Sequence, residues 1–244
     1  MATDTILSLR DVVAGYGAMT ILNGLSFDIP AGAITTVIGP NGAGKSTAFK
    51  TIFGLLKPRS GSMRVAGRDL TGAPPATLIE AGVCYVPQGR NIFAEMSVRH
   101  NLELGAVAAP TAIRASMPGR IAAALARFPA LAKKAEKQAS TLSGGEQKQL
   151  EIARGLLLDP KLILIDEPSI GLSPMMVEET FALLRATRDR GAAVLLIEQN
   201  AKQALQTSDF GLVLELGQTR LHGRAEAILA DPRVAQLFLG GAST

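Results

Sequence analysis

The chain has 244 residues, of which 47% are apolar and 19% charged, and a formal net charge of +4. That length favours one core with insertions over two independent modules, and the lone cysteine, Cys84, excludes a disulfide framework and fits a reducing cytosol. The basic residues are scattered, with "KKAEK" (Lys133 to Lys137) reading as the solvated face of a helix, so charge makes no case for nucleic acid.

From the N-terminus, "MATDTILSLR" lacks a basic segment followed by a long apolar one, and no apolar run approaches the roughly 20 residues of a membrane span, so an unexported chain with no span of its own is expected. "GYG" (Gly15 to Gly17) is not a dinucleotide fingerprint, because Thr20 stands where the third glycine belongs. Alternation in "LSFDI" (Leu25, Phe27, Ile29) and "MRV" (Met63, Val65) predicts short half-buried strands of a small antiparallel sheet. Between them "ITTVI" (Ile34 to Ile38) predicts a strand, and after Lys45 the spacing of Phe49, Ile52, Phe53 and Leu56 predicts a helix. Cys84, in the apolar "GVCYV", reads as a buried strand residue.

Residues from about 90 to 155 are helical in pattern, with breaks at Pro110, Pro118 and Pro129, and read as a helical insertion. Two further apolar runs, "LILID" (Leu162 to Asp166) and "AVLLIE" (Ala193 to Glu198), flank a helical pattern with Val177, Phe181 and Leu184 on one face. Apolar strands alternating with helices predict an α/β fold with a parallel sheet covered on both faces. One domain over residues 1–244 is expected, with "GGAST" frayed at its end.

The spacing G-x-x-x-x-G-K-S in "GPNGAGKST" predicts a phosphate loop made by Gly39, Asn41, Gly42, Gly44, Lys45, Ser46 and Thr47. Its glycines turn backbone N–H groups toward an anion, Lys45 reaches the terminal phosphates and the Ser46 hydroxyl faces Mg²⁺. A metal held by one hydroxyl and phosphates needs a carboxylate, and Asp166 ends a buried strand. Glu167, next in sequence, then lies where a general base would polarise an attacking water.

"LSGGEQKQLEIARGLLL" predicts a helix start, with Ser143 as N-cap, Glu146 as its capping-box partner, and Leu150, Ala153 and Leu157 on one face. Two glycines in the first turn, Gly144 and Gly145, cost roughly 1 kcal/mol each relative to alanine, which a cap alone does not require. A ligand approaching the backbone does require them. Since the chain already has one phosphate loop, the second is expected to cover the nucleotide of another subunit.

The ordered set "GPNGAGKST", "LSGGEQ" and "LILIDEP" resembles the ATP-binding subunits of ABC transporters over nearly the whole chain. The resemblance implies a P-loop NTPase with a RecA-like core, an antiparallel β subdomain and a helical subdomain, using ATP and Mg²⁺. It implies a head-to-tail dimer with a second ABC ATPase, in which the LSGGQ-type loop of one subunit covers the γ-phosphate held by the other. Two permease subunits and, indirectly, a solute-binding protein complete the assembly, which places the chain at the cytoplasmic face of the membrane. Tyr16 matches the aromatic residue that stacks on adenine, and Gln88 the glutamine that touches Mg²⁺ and water. Asn91 to Leu102 matches the surface for a permease helix; on the residues alone these apolar side chains are equally plain core.

Two positions depart from the family pattern. Ser173 stands where an Asp is usual and, followed by Pro174, reads as a helix N-cap. Gln199 stands where a His is usual and joins Glu167 and Gln88 as the catalytic set; its amide can donate to a phosphate oxygen but carries no imidazolium charge. "YVPQGR", "DEPSIGLSP" and "VLLIEQNAKQAL" resemble the ATPases of branched-chain amino-acid uptake systems, a pattern that urea and amide importers share. Lipopolysaccharide exporters usually keep the His and Asp, and soluble ABC ATPases acting on ribosomes or nucleic acid usually have fused halves or coiled-coil insertions.

Overall fold

The computed structural model describes residues 4–89, 91–107 and 109–234. The chain runs through β1 (Thr5–Tyr16), β2 (Met19–Pro30), β3 (Ile34–Ile38), α1 (Lys45–Ile52), β4 (Ser60–Val65), β5 (Arg68–Asp69), α2 (Pro75–Glu80), β6 (Val83–Val86), α3 (Val98–Val107) and α4 (Thr111–Arg114). It continues with α5 (Met117–Arg127), α6 (Pro129–Ala132), α7 (Gly144–Leu156), β7 (Leu162–Asp166), α8 (Pro174–Arg188), β8 (Ala193–Ile197), α9 (Ala201–Thr207), β9 (Phe210–Glu215), β10 (Gln218–Arg224) and α10 (Ala225–Ala230). The terminal "GGAST", and Arg90 of "YVPQGR", lie outside the described residues.

Every residue of β3, β7 and β8 is buried, because these strands sit inside a six-stranded sheet of order β10-β9-β3-β8-β7-β6. The pairs from β9 through to β6 are parallel, and only β10 runs antiparallel. Alternate residues feed two cores. Leu162, Leu164, Leu195 and Ile197 pack with Phe49 and Ile52 of α1 and with the N-terminal sheet. Ile163, Ile165, Val194 and Leu196 pack on the other face with Ile152 of α7 and with Val177, Phe181 and Leu184 of α8. Both faces are thus covered, which is why these strands read as unbroken apolar runs.

The strands around "LSFDI" and "MRV" form an antiparallel sheet of order β2-β1-β4-β5. "GYG" makes the tight connection from β1 to β2: Gly17 has φ 53°, and a Cβ on Gly15 would lie 2.0 Å from the Met19 carbonyl oxygen. Among the described residues the 91–155 stretch holds helices and one isolated bridge, Ser97 to Gln138, with no strand. Its core is a separate cluster that includes Val98, Leu102, Ile121, Leu125, Leu131 and Leu150. Its prolines start helices rather than end them, since Pro110 is the N-cap of α4 and Pro118 and Pro129 lie in the first turns of α5 and α6.

Two expectations need correction. The helix after Lys45 stops at Ile52, where Gly54 at φ 74° turns the chain, so Phe53 and Leu56 pack on the core from outside the helix. "KKAEK" is a turn beyond α6 rather than a helix face, and Lys134 reaches Glu146 at 2.7 Å. Beyond Glu198, where no element is read from the sequence, β9 and β10 extend the sheet; half of β10 is solvent-exposed, which hides its pattern. Among the described residues no helix is long and apolar enough to cross a membrane.

Candidate active site

The carboxyl ends of the parallel strands gather the chemistry, as open α/β sheets do. After β3 the chain enters the Gly39–Thr47 loop, where Gly42 and Gly44 hold φ 82° and 100°, values that side chains rarely adopt. A Cβ on Gly39 would lie 2.3 Å from the Leu214 carbonyl oxygen. The turn between β9 and β10 braces the loop, with Gly217 N–H donating to Ala43 O at 3.0 Å and Gly217 O accepting from Asn23 N–H at 3.0 Å. A Cβ on Gly217 would lie 1.9 Å from Ile21 O, so only glycine fits this bridge.

α1 begins at this loop with no side-chain cap and no acid in its first turn, leaving its N-terminal N–H groups turned to an anion. Lys45 Nζ donates to Gly39 O at 2.7 Å and to Pro40 O at 3.1 Å. Burial lowers the pKa of its ammonium, opposed by Glu167 and Asp166. Asn41 is exposed, Ser46 half-buried, and Thr47 buried in the first turn of α1.

Asp166 ends β7 and is 2% exposed. Burial pushes its carboxyl pKa up, against the opposing effect of the Ser46 and Tyr85 hydroxyls and of Lys45. Tyr85 Oη donates to Oδ2 at 3.5 Å, whereas the buried Oδ1 makes no hydrogen bond. A buried carboxylate oxygen without a partner, beside a serine hydroxyl, is a donor set of the hard-oxygen kind that suits a divalent cation.

Glu167 is buried and holds φ 49°, a strained conformation for a residue with a long side chain. Its N–H donates to Ile197 O at 2.9 Å, which fixes it to β8. Its Oε2 accepts from Gln88 Nε2 at 2.6 Å and from Gln199 Nε2 at 3.0 Å. Gln88 follows β6 and Gln199 follows β8, so three loops converge on one carboxylate oxygen. In this structure the Gln199 amide, expected as a donor to a phosphate oxygen, donates to Glu167.

Sequence reasoning missed Glu198, which is 4% exposed. Ser169 donates to it twice, from N–H at 2.9 Å and from Oγ at 2.7 Å, and so ties the loop after Glu167 to the end of β8. Burial pushes the Glu198 carboxyl pKa up, and the Ser169 hydrogen bonds oppose the shift. An acid ending an otherwise apolar strand was the available signal. Ser173 takes the N-cap position of α8 as expected, yet its side chain accepts no capping hydrogen bond.

The second glycine turn caps α7. Ser143 Oγ accepts from Glu146 N–H at 3.3 Å, Ser143 N–H donates to Glu146 Oε2 at 2.7 Å, and the capping box is complete. Gln147 turns inward and donates to Leu142 O at 3.2 Å. The two glycines differ: a Cβ on Gly145 would lie 2.3 Å from Met176 Cε, whereas one on Gly144 would meet nothing within 4 Å. Packing within the chain thus accounts for Gly145 and leaves Gly144 unexplained. Among the described residues no hydrogen bond joins Ser143–Glu146 to the Gly39–Thr47 loop, and Leu142, just before the turn, packs in a different core from Ala43 of the loop. Tyr16 is 46% exposed at the end of β1, with Lys50 Nζ of α1 at 5.8 Å from its ring centre.

Residues 22–170 match the family model described as ABC transporter. The chain belongs to the ABC transporter family. This ABC transporter chain is 39% identical to the high-affinity branched-chain amino acid transport ATP-binding protein BraG of Pseudomonas aeruginosa, across 97% of its own length and 100% of that protein. It is 38% identical to the probable branched-chain amino acid transport ATP-binding protein LivF of Archaeoglobus fulgidus, across 93% and 95%. A crystal structure of an ATP-binding cassette of an ABC transporter in its ADP conformation superposes with a TM-score of 0.87 at 30% identity, covering 98% of this chain and 100% of the other. As an ABC transporter ATPase the chain binds nucleotide and works with membrane permease subunits.

Proposed function

We propose that this ABC ATPase energises an importer of branched-chain amino acids, with Glu167 as the general base of ATP hydrolysis. The catalytic part rests on one observation: Gln88 and Gln199 both donate to a strained, buried Glu167 that follows Asp166. The cargo rests on the likeness to the BraG and LivF proteins.

In this reading Tyr16 stacks on adenine, and Lys45 with the N–H groups of Gly39, Asn41, Gly42, Gly44, Ser46 and Thr47 holds the phosphates. Ser46, Asp166 and Gln88 would hold Mg²⁺, whose charge, when bound, neutralises the phosphate oxygens. Glu167 takes a proton from water while the water oxygen bonds the γ-phosphorus and the bond to the β–γ bridging oxygen breaks, leaving ADP and phosphate. Gln88 and Gln199 aim the Glu167 carboxylate at that water. Ser143, Gly144, Gly145 and Glu146 cover the γ-phosphate on a second ABC ATPase subunit, and Gly144, which packing does not explain, is the position that this contact explains.

The subunit sits on two permeases at the cytoplasmic face, using the surface around Asn91 to Leu102, where Phe93 is 53% exposed. A solute-binding protein acts through those permeases. The test is purification of the tagged chain from membranes of its native cell, with mass spectrometry of what accompanies it and uptake of labelled leucine with and without Lys45→Ala. Two multi-spanning permeases, a second ATPase and uptake lost in the variant support the reading. Ribosomes, or unchanged uptake, would leave an ATPase and remove the importer.

A further inference from the structure

Lys148, Glu151 and Arg154 project three residues apart from one side of α7, the helix that Ser143 caps. All three close on the backbone just beyond Gln88. Lys148 and Glu151 are 7% and 3% exposed and form an ion pair. Glu151 Oε1 accepts from Asn91 N–H, Arg154 Nη2 donates to Asn91 O at 2.6 Å, and Lys148 Nζ donates to Gly89 O at 3.1 Å. Asn91 in turn donates from its side-chain amide to Gln88 O at 3.3 Å. α3 makes room for this arrangement, since a Cβ on Gly105 would lie 2.4 Å from Arg154 Cγ.

Stability does not explain so many charges in one place. A buried ion pair is often no better for stability than apolar side chains of the same volume. It does fix geometry: here Glu151 accepts from Asn91 N–H and Lys148 donates to Gly89 O, while Arg154 holds the C=O of Asn91 in the same loop. That loop leads from β6 to α3 and carries the Gln88 side chain to Glu167.

We infer that Lys148, Glu151 and Arg154 are positioning residues that clasp Gly89 and Asn91 to α7, so that the Ser143–Glu146 turn and Gln88 move as one body. The inference rests on the catalytic reading of Gln88 given above. Its consequence is directional: a nucleotide on the partner subunit, seated against Ser143–Glu146, sets the Gln88–Glu167 contact in this chain through the clasp.

The test is a double-mutant cycle on the full chain purified with its membrane partners. Lys148→Met with Glu151→Leu replaces the ion pair by apolar groups and keeps the volume. The expected result is a kcat lower by about 10-fold, with ATP affinity within about twofold of the parent, because the phosphate loop is untouched. Added to Gln88→Ala, the same pair of changes causes no further loss. Glu151→Gln, which keeps an acceptor for Asn91 N–H, gives a smaller loss with the same dependence on Gln88 and serves if the double variant fails to fold. A folded clasp variant with full kcat, or a loss that multiplies with that of Gln88→Ala, overturns the clasp. Full turnover in Gln88→Ala alone would instead remove Gln88 from catalysis, and with it the ground of the inference.

Discussion

Gln199 Nε2 lies 3.0 Å from Glu167 Oε2, the same oxygen that Gln88 Nε2 reaches at 2.6 Å. Two neutral amides therefore orient one carboxylate from opposite neighbouring loops. An amide carries no charge to the reaction, so Gln199 acts through orientation. Gln199→Ala removes one charge-assisted hydrogen bond, a loss of about 1.5–3 kcal/mol, and should lower kcat by roughly 10- to 100-fold while KM for ATP stays put. Gln199→Glu, which sets a second carboxylate against the first, should cost more. Steady-state ATP hydrolysis reads both, and an undiminished kcat in Gln199→Ala would take away the orienting role.

The two glycines of the second turn separate packing from function. Gly145→Ala drives a Cβ toward the side chain of Met176 and should destabilise by about 1–3 kcal/mol, a loss relieved by Met176→Ala. Gly144→Ala meets no neighbour and should stabilise the helix by up to about 1 kcal/mol. If the Gly144 backbone faces a nucleotide on a partner, the same change lowers turnover at least about tenfold, giving a protein that melts later and works worse. Thermal melts paired with ATPase rates check this; a stabilised and fully active Gly144→Ala would contradict it.

Glu198 gives a pH dependence of known sign. Burial raises its folded pKa above the ordinary 4.5, so the folded state binds the proton more tightly than the unfolded one. Stability contributed by this group is then greatest below the ordinary value and falls as pH rises toward the raised one. Relative to Glu198→Gln, the parent chain should lose stability as pH rises above about 4.5. Urea midpoints of the two proteins across a pH series measure the difference, and a difference that ignores pH would contradict the assignment.

Cys84 is buried on β6 and its thiol pKa is pushed up to about 12. At pH 8 its thiolate fraction is lower than that of an ordinary cysteine by about 10³, and a disulfide reagent should modify the native chain at least that much more slowly than the chain in denaturant. Rapid labelling of the native protein would mean that β6 opens readily.

The parallel strands were legible because burial on both faces leaves an unbroken apolar signature, and Ile34–Ile38 and Leu162–Asp166 fall where the runs are. The phosphate loop was legible because its glycine spacing answers a backbone requirement. What could not be read depends on neighbours remote in sequence. Gln199 meets Glu167 because β7 and β8 pair in the register Asp166 to Ile197, and no periodicity reports that register. Gly217 looks like any turn glycine until Ala43 and Asn23 are seen on either side of it. β10 escapes because its exposed side alternates Gln218, Arg220, His222 and Arg224 with half-buried residues, a weaker signal than the buried strands give.

Steady-state ATP hydrolysis by Glu167→Gln, with ATP binding measured on the same preparation, bears most directly on the assignment of the general base. Turnover should fall by about 10² to 10⁴, the range of a lost general base, while ATP still binds, because Lys45 and the loop around it are untouched. Near-normal turnover by a folded, ATP-binding Glu167→Gln chain would contradict the role of Glu167 and, with it, the roles of Gln88 and Gln199 as the groups that aim it.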